Sequence, residues 1–378
     1  MKYHPFVMER WQSTYEHRVR FNLSESGVHP LSVTELLSLA DRQPDALDVR
    51  LGYGQSNGSD ELRNLIADLY TDATEASVLV TTGGAEANFT AFWELMEPGT
   101  SVAVMLPNYM QIPGLLKSFG AHIHPFHLVE EHGWQPDLNE LEKGLRDGAR
   151  FILVTNPNNP TGAVLDETSM SGIVALADRH GAWILADEVY RGAELDGPET
   201  PSFWGLHDRV LVTNSLSKAY GLPGLRIGWV VGPAEMMEAL WGRTDYTTIA
   251  PASLSDVLAR VALEPATRLK ILARTRKILA NNISLLSSWM DAQDDRFSYR
   301  PPDAGAICYT RYGPSINSSE FAETLRTEMD LLVVQGDHFG MDRYLRLGFG
   351  LPAPELEESL ERLAAAFDAV EQRSRSVT

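Results

Sequence analysis

The chain has a single cysteine, Cys308, in 378 residues. One thiol cannot build an intrachain disulfide framework, and such scarcity fits a reducing, cytoplasmic compartment. Cys308 lies in an apolar run close to Gly305 and reads as a packed core thiol. Positive charge is also short: 32 Lys and Arg stand against 51 Asp and Glu, for a net charge of -19. Nucleic acid and anionic membrane surfaces call for basic patches, so neither is expected as a partner. An anionic small molecule is still allowed, because a few arginines can hold one locally. No apolar run reaches bilayer-spanning length. Met1 to Gln12 is charged and lacks the apolar block of a secretion signal. There is no repeat of solenoid period, no low-complexity tract, and no metal site is expected.

What is present is ordinary for a globular protein: 44% hydrophobic and 22% charged residues, in a chain long enough for two or three folding units. Tyr3 to Arg20 is an amphipathic, aromatic-rich segment. The turn-forming stretch Asn22 to Pro30 leads into a helix, Ser32 to Ala40, with Ser32 as N-cap. From Val78 the pattern alternates. Strands are predicted at Val78–Thr82, Ser101–Leu106, Ala121–His127, Phe151–Thr155, Trp183–Ala186, Val210–Asn214 and Ile227–Val231, with helices between several of them. Apolar character on both strand faces points to a largely parallel α/β sheet covered by helices. After about residue 250 a long helical stretch, Ala252 to Met290, leads into short strands near Ala306 to Arg311 and Tyr344 to Phe349. A closing helix, Pro354 to Gln372, follows, and together these suggest a smaller α+β domain.

In an open parallel sheet, ligands sit at the carboxyl ends of the strands. Five successive strand ends here carry polar or aromatic groups. Gly83-Gly84-Ala85-Glu86 opens a helix and can seat an anion on free N–H groups; it is neither a Walker loop nor a GxGxxG fingerprint. Pro107-Asn108-Tyr109 offers an aromatic ring, and Asn156-Pro157-Asn158-Asn159-Pro160-Thr161-Gly162 an amide. Asp187-Glu188-Val189-Tyr190 gives a carboxylate and a phenol. Ser215-Leu216-Ser217-Lys218 gives hydroxyls and an amine, with Arg226 eight residues on. That set matches pyridoxal 5'-phosphate (PLP): donors for the phosphate, a ring to stack on, a carboxylate for the pyridine nitrogen and a lysine for the aldehyde.

With these motifs in this order, the chain resembles the class I/II aminotransferases, PLP enzymes of fold type I, from about Tyr53 to Phe349. The resemblance implies a large domain with a mostly parallel seven-stranded sheet, at 46–270. It also implies a smaller α+β domain, at 271–378, and an N-terminal segment, 1–45, that packs with the small domain and covers the site. It implies that Lys218 is the Schiff-base lysine, that Asp187 pairs with the pyridine nitrogen, and that Asn159 and Tyr190 donate to the phenolic oxygen. Tyr109 would stack on the ring. Gly84, Ala85, Ser215, Ser217 and Arg226 would hold the phosphate, with Glu86 acting only through its backbone N–H. Arg346 would grip the substrate carboxylate in a two-bonded fork. Tyr53 would reach the phosphate of a neighbouring subunit, making a homodimer.

PLP supplies an electron sink while the protein selects the bond that breaks, so the fold leaves the reaction open. The ordinary form of Asp187 to Tyr190 favours transfer of an amino group from an L-amino acid. The loop Leu23 to His29 is instead similar to the capreomycidine synthase type, which dehydrates a hydroxylated arginine and closes a cyclic guanidine. In that reading Glu25 meets a guanidinium and Gly27 lies at the substrate. A third class, a non-catalytic PLP-binding regulator, carries a DNA-binding module ahead of the fold. Nothing of that size precedes residue 40, and the charge opposes DNA.

Overall fold

A computed structural model describes residues 2–43, 48–293, 296–313 and 315–376; the domain boundary expected at 45/46 lies outside the described residues. The chain opens with helix α1 (Val7–Tyr15), a two-residue strand β1 (Phe21–Asn22) and helix α2 (Val33–Leu39). Ser32 caps α2 reciprocally with Glu35, each side chain accepting from the other's backbone N–H, which satisfies two otherwise orphaned donors. After α3 (Asp60–Ala67) come β2 (Val78–Thr81), α4 (Gly84–Leu95), β3 (Ser101–Leu106), α5 (Gln111–Phe119), β4 (His122–Val129), β5 (Gln135–Pro136) and α6 (Leu138–Arg146). Then follow β6 (Phe151–Thr155), α7 (Glu167–His180), β7 (Trp183–Asp187), β8 (Val210–Ser215), β9 (Gly228–Val231) and α8 (Ala234–Thr244).

These strands form one sheet in the order β2-β9-β8-β7-β6-β3-β4-β5. The middle five are parallel. β9 runs antiparallel to both its neighbours, and β5 antiparallel to β4. The sheet therefore has eight strands where seven were expected, because the pair Gln135–Pro136 has no apolar run to announce it. Helix α6 also went unread, although Leu141 and Leu145 sit buried one helical turn apart. Period-2 burial explains the continuous apolar strands. Val102 and Val104 pack on one side of the sheet, and Ala103 and Met105 on the other.

The long helical stretch is two helices, α9 (Ser253–Leu263) and α10 (Pro265–Asp291). Pro265 starts α10 and pushes Glu264 into extended backbone, ψ 132°. The smaller unit holds β10 (Phe297–Tyr299), β11 (Ile307–Tyr312), α11 (Ser318–Met329), β12 (Leu331–Leu332), β13 (Val334–Gln335), β14 (Tyr344–Gly348) and α12 (Ala353–Ser376). Its antiparallel sheet runs β10-β11-β14-β13, and β1 pairs in parallel with β12, so the start of the chain is tied to this unit. Cys308 is fully buried, and burial pushes its thiol up to about 12. No helix among the described residues is long and apolar enough to cross a membrane.

Candidate active site

The chain leaves β3 toward β4 but leaves β6 toward β7 and β8, so a crevice opens at the carboxyl ends where the order reverses. A cavity of about 500 Å³ fills that crevice. Gly84, Ala85, Tyr109, Asn159, Asp187, Tyr190, Ser215, Ser217, Lys218, Arg226, Arg346 and Glu25 all line it. Gly27 lies just behind, where a Cβ would come 3.5 Å from the Lys218 side chain.

At the start of α4, Gly83 has φ +83°, and a Cβ there would fall 2.2 Å from an Arg226 nitrogen. Only glycine lets the guanidinium lie against this turn. Arg226 itself sits in the left-handed region, φ +51°, which is uncommon for a side chain of its size and concentrates at functional sites. Ser215 is buried, and its hydroxyl accepts from the Ser217 N–H at 3.2 Å. Glu86 departs from expectation. Its N–H is taken by the Gly83 carbonyl at 3.2 Å, and it does not line the cavity. Its carboxylate turns away, accepting from the Thr82 N–H and from the Thr247 and Thr248 hydroxyls. Tyr53 stands 89% exposed and outside this cavity.

Asp187 ends β7, deeply buried. Its Oδ2 accepts from Asn88 at 3.1 Å and its Oδ1 from the Val189 N–H at 3.2 Å. Burial dominates, pushing its carboxyl up to about 6 against the pull of those two donors. Neighbouring Glu188 is turned away and holds a loop, accepting from the Ser202 hydroxyl at 2.8 Å and the Phe203 N–H at 2.9 Å.

Lys218 Nζ donates to Glu25 Oε1 at 2.8 Å, and the Ser26 and Gly27 N–H groups donate to the same oxygen at 2.8 and 3.1 Å. Glu25 is walled in by protein, yet 47% of its side chain is open to the cavity. The charge of Lys218 is the largest influence on it and outweighs burial, holding its carboxyl down at about 2. For Lys218, burial opposes the ammonium, but Glu25 and Tyr190 together hold its pKa above the usual lysine value. Thus Glu25, expected at a substrate guanidinium, is bound here to the lysine.

Tertiary pairing carries Glu25 to this position. The Leu23 N–H donates to the Leu332 carbonyl at 2.8 Å, and the Gly348 N–H to the Leu23 carbonyl at 2.6 Å. The backbone passes so close that a Cβ on residue 348 would fall 1.9 Å from the Glu25 carbonyl oxygen. Arg346, on the same strand and 1% exposed, donates to Asn159 Oδ1 at 3.0 Å and to the Ser24 carbonyl at 2.5 Å. Gln12 of α1 donates to that same carbonyl at 2.7 Å.

Sequence reasoning missed the rest of this wall. Phe6, Met8, Glu9, Gln12, Glu16 and Ser26 line the cavity, and Phe6 packs edge-on to Tyr109 at 5.3 Å between ring centres. For all but Ser26, which lies in the loop singled out above, the signal was the amphipathic, aromatic character of Tyr3 to Arg20, which does not say which face meets a ligand. Asn88 and Gln111 were missed too, although both sit within one or two turns of strand ends that were singled out.

The profile of the family described as aminotransferase class I and II matches residues 28–363. The capreomycidine synthase of Streptomyces vinaceus is 33% identical over 362 residues, covering 94% of this chain and 92% of that protein. The crystal structure of a PLP-dependent aminotransferase from Streptococcus suis 89-1591 superposes with a TM-score of 0.92 at 33% identity, covering 98% of this chain and 99% of that one. That of the PLP-dependent cyclase OrfR superposes with a TM-score of 0.86 at 25% identity, covering 99% and 98%. The chain belongs to the class I and II aminotransferase family, and its cofactor is pyridoxal 5'-phosphate. The cavity suits that group. Tyr190 Oη and Arg346 Nε are buried polar atoms of lining residues that have no hydrogen-bond partner among the described residues, so the site has donors to spare.

Proposed function

We propose that the protein uses PLP to eliminate a side-chain hydroxyl from an L-amino acid with a cationic, guanidine-like side chain and to close a ring, in the manner of a capreomycidine synthase. The observation that carries this reading is the charge of the cavity's N-terminal wall. Glu9 and Glu16 line one side, with Glu25 beside them paired to Lys218, while Arg346 is held at the sheet. A zwitterionic substrate with a distal cation meets complementary charge at both ends. The same wall repels dicarboxylic 2-oxo acids, common amino acceptors. The similarity to capreomycidine synthase spans 94% of the chain. A transfer reaction is the second reading, favoured by the likeness to the Streptococcus suis aminotransferase.

When bound, the cofactor supplies an electron sink for the carbanion formed at the substrate α-carbon. Asp187 would hold the ring nitrogen, and Asn159 and Tyr190 the phenolic oxygen. Tyr109 would lie on the ring face, and Gly84, Ala85, Ser215, Ser217 and Arg226 at the phosphate. Lys218 Nζ would hold the cofactor's aldehyde and, once the substrate amine displaces it there, would take the α-proton and return a proton to the leaving hydroxyl. Glu25 steadies the Lys218 ammonium after that first transfer. Arg346 fixes the substrate carboxylate through its unpartnered Nε and so sets which bond faces Lys218.

A second copy of the chain would complete the site. Tyr53 and Tyr246 are 89% and 81% exposed, and Leu51 and Ile249 lie open beside them in sequence. The Ser253 hydroxyl ties these loops together by donating to the Gly52 carbonyl at 2.9 Å. Such exposed apolar groups call for cover, and Tyr53 would then reach the partner's phosphate seat.

The test is incubation with a panel of amino acids that includes 3-hydroxyarginine. Loss of water and a cyclic product without any added 2-oxo acid is expected. Release of a keto acid with conversion of the cofactor to its amine form overturns the reading in favour of transfer. Sedimentation velocity should show a dimer.

A further inference from the structure

We propose that Asn88 is the positioning residue that keeps Asp187 in its ionised, accepting form, and that its orientation is dictated from the Ala85 carbonyl through Gln111. The inference rests on the reading of Asp187 as the partner of the cofactor's ring nitrogen. It adds a residue and a mechanism to that reading.

The relay begins at a group that can only accept. The Ala85 carbonyl takes a hydrogen bond from Gln111 Nε2 at 2.9 Å. That fixes the Gln111 amide, leaving its oxygen as the acceptor at the other end. Asn88 Nδ2 lies 3.2 Å from that oxygen, so Asn88 must present its amino group there. The same amino group lies 3.1 Å from Asp187 Oδ2. The Asn88 oxygen is occupied by the Thr213 hydroxyl, which donates to it at 2.7 Å. A flipped amide would set two oxygens against each other at Gln111. Asp187 Oδ2 thus faces an N–H donor, and a donor aimed at that oxygen favours the carboxylate over the acid.

The need for such a donor is plain from the surroundings. Asp187 is 5% exposed and Asn88 4%. Behind them lies a void of only about 10 Å³, walled mostly by apolar groups such as Ala91, Phe92, Leu153 and Leu211. No cation touches the carboxylate: among the described residues its hydrogen-bond donors are the Asn88 amide and the Val189 N–H. The titratable groups near it, Glu188 and Tyr109, add no positive charge. Burial raises the Asp187 carboxyl, and Asn88 is the largest influence acting the other way. A carboxylate kept ionised can hold a protonated ring nitrogen, whereas a neutral one cannot.

The experiment uses holoenzyme reconstituted with PLP carrying ¹⁵N in its ring. The readouts are the ring-nitrogen resonance across pH and the affinity for PLP. Wild type should show a protonated nitrogen at neutral pH. Asn88→Leu keeps much of the volume but removes the donor. It should move the resonance toward the unprotonated position and weaken PLP binding roughly 10-fold to 100-fold, as for loss of a hydrogen bond to a charged group. Asn88→Ala should shift both in the same direction. Wild-type values in both variants overturn the proposal. Should these buried substitutions fail to fold, Gln111→Leu, at a half-buried position, should give a smaller shift of the same sign. Wild-type values there overturn the part that runs through Gln111. Asp187→Asn separates the two levels. If it leaves the resonance unchanged, the underlying reading of Asp187 fails. If it shifts the resonance while Asn88→Leu does not, only the relay falls.

Discussion

Two walls face each other across the cavity, and they are built in different ways. The sheet wall consists of residues at strand ends: Asn159 after β6, Asp187 at the end of β7, and Ser215 and Lys218 at and after β8. Each is placed by the strand that precedes it. The N-terminal wall consists of Phe6, Met8, Glu9, Gln12, Glu16, Glu25 and Ser26, and it is held by distant backbone. Glu25 meets a lysine 193 positions away, and Ser24 an arginine 322 positions away. The sheet wall holds most of the residues proposed to bind the cofactor. In the reading proposed above, the N-terminal wall carries the charge that would select a substrate.

The largest effect should come from the sheet wall. Lys218→Ala should cut turnover by about 10,000-fold or more, because proton transfer at the α-carbon loses its base. Steady-state assays on the preferred substrate measure it, and residual turnover within tenfold of wild type would remove Lys218 from that role. Next is the junction of the two walls. Arg346→Lys loses the planar fork, so KM for the amino acid should rise by about 10-fold to 100-fold while the spectrum of bound cofactor stays put. An unchanged KM would place the substrate carboxylate elsewhere.

Gly348→Ala probes the N-terminal wall alone. The new Cβ would strike the Glu25 carbonyl oxygen, so stability should fall by about 1–3 kcal/mol and the segment before α2 should become open to protease. Equal protease resistance would show that the segment has another way to pass.

The smallest effect concerns pH. Glu25 has its folded pKa depressed to about 2 from an ordinary 4.5. A depressed carboxylate stabilises the fold above its unfolded pKa and loses that contribution as pH falls through the folded value. The stability gap between cofactor-free wild type and Glu25→Gln should therefore be constant near neutrality and close between about 4.5 and about 2. Denaturant midpoints across that range measure it. A gap that persists at pH 2 would mean that Glu25 acts through shape and not charge.

The sheet wall was largely legible because strand period and turn chemistry are local. A continuous apolar run ending in Asp187 or Ser215 announces both the strand and the side that opens on the crevice. The sheet's antiparallel members were less so. β9 reads like its parallel neighbours, since burial on both faces gives the same apolar run in either direction. For Glu86, a motif at a helix start does not say which N–H groups remain free, and here the Gly83 carbonyl accepts from that one. The segment Ser24 to Gly27 was recognised as lying over the site, but its partner was not, because nothing within it encodes Lys218.

By itself, then, the sequence determined the α/β architecture, the family and the residues at the strand ends, since these follow from patterns a few residues long. Tertiary structure alone decided that Glu25 binds Lys218, that helix α1 and the residue capping its end bring Glu9 and Glu16 to the cavity, and that Asn88 donates to Asp187. The physical reason is distance along the chain: these groups meet only after β1 pairs with β12 and α4 packs beside β8.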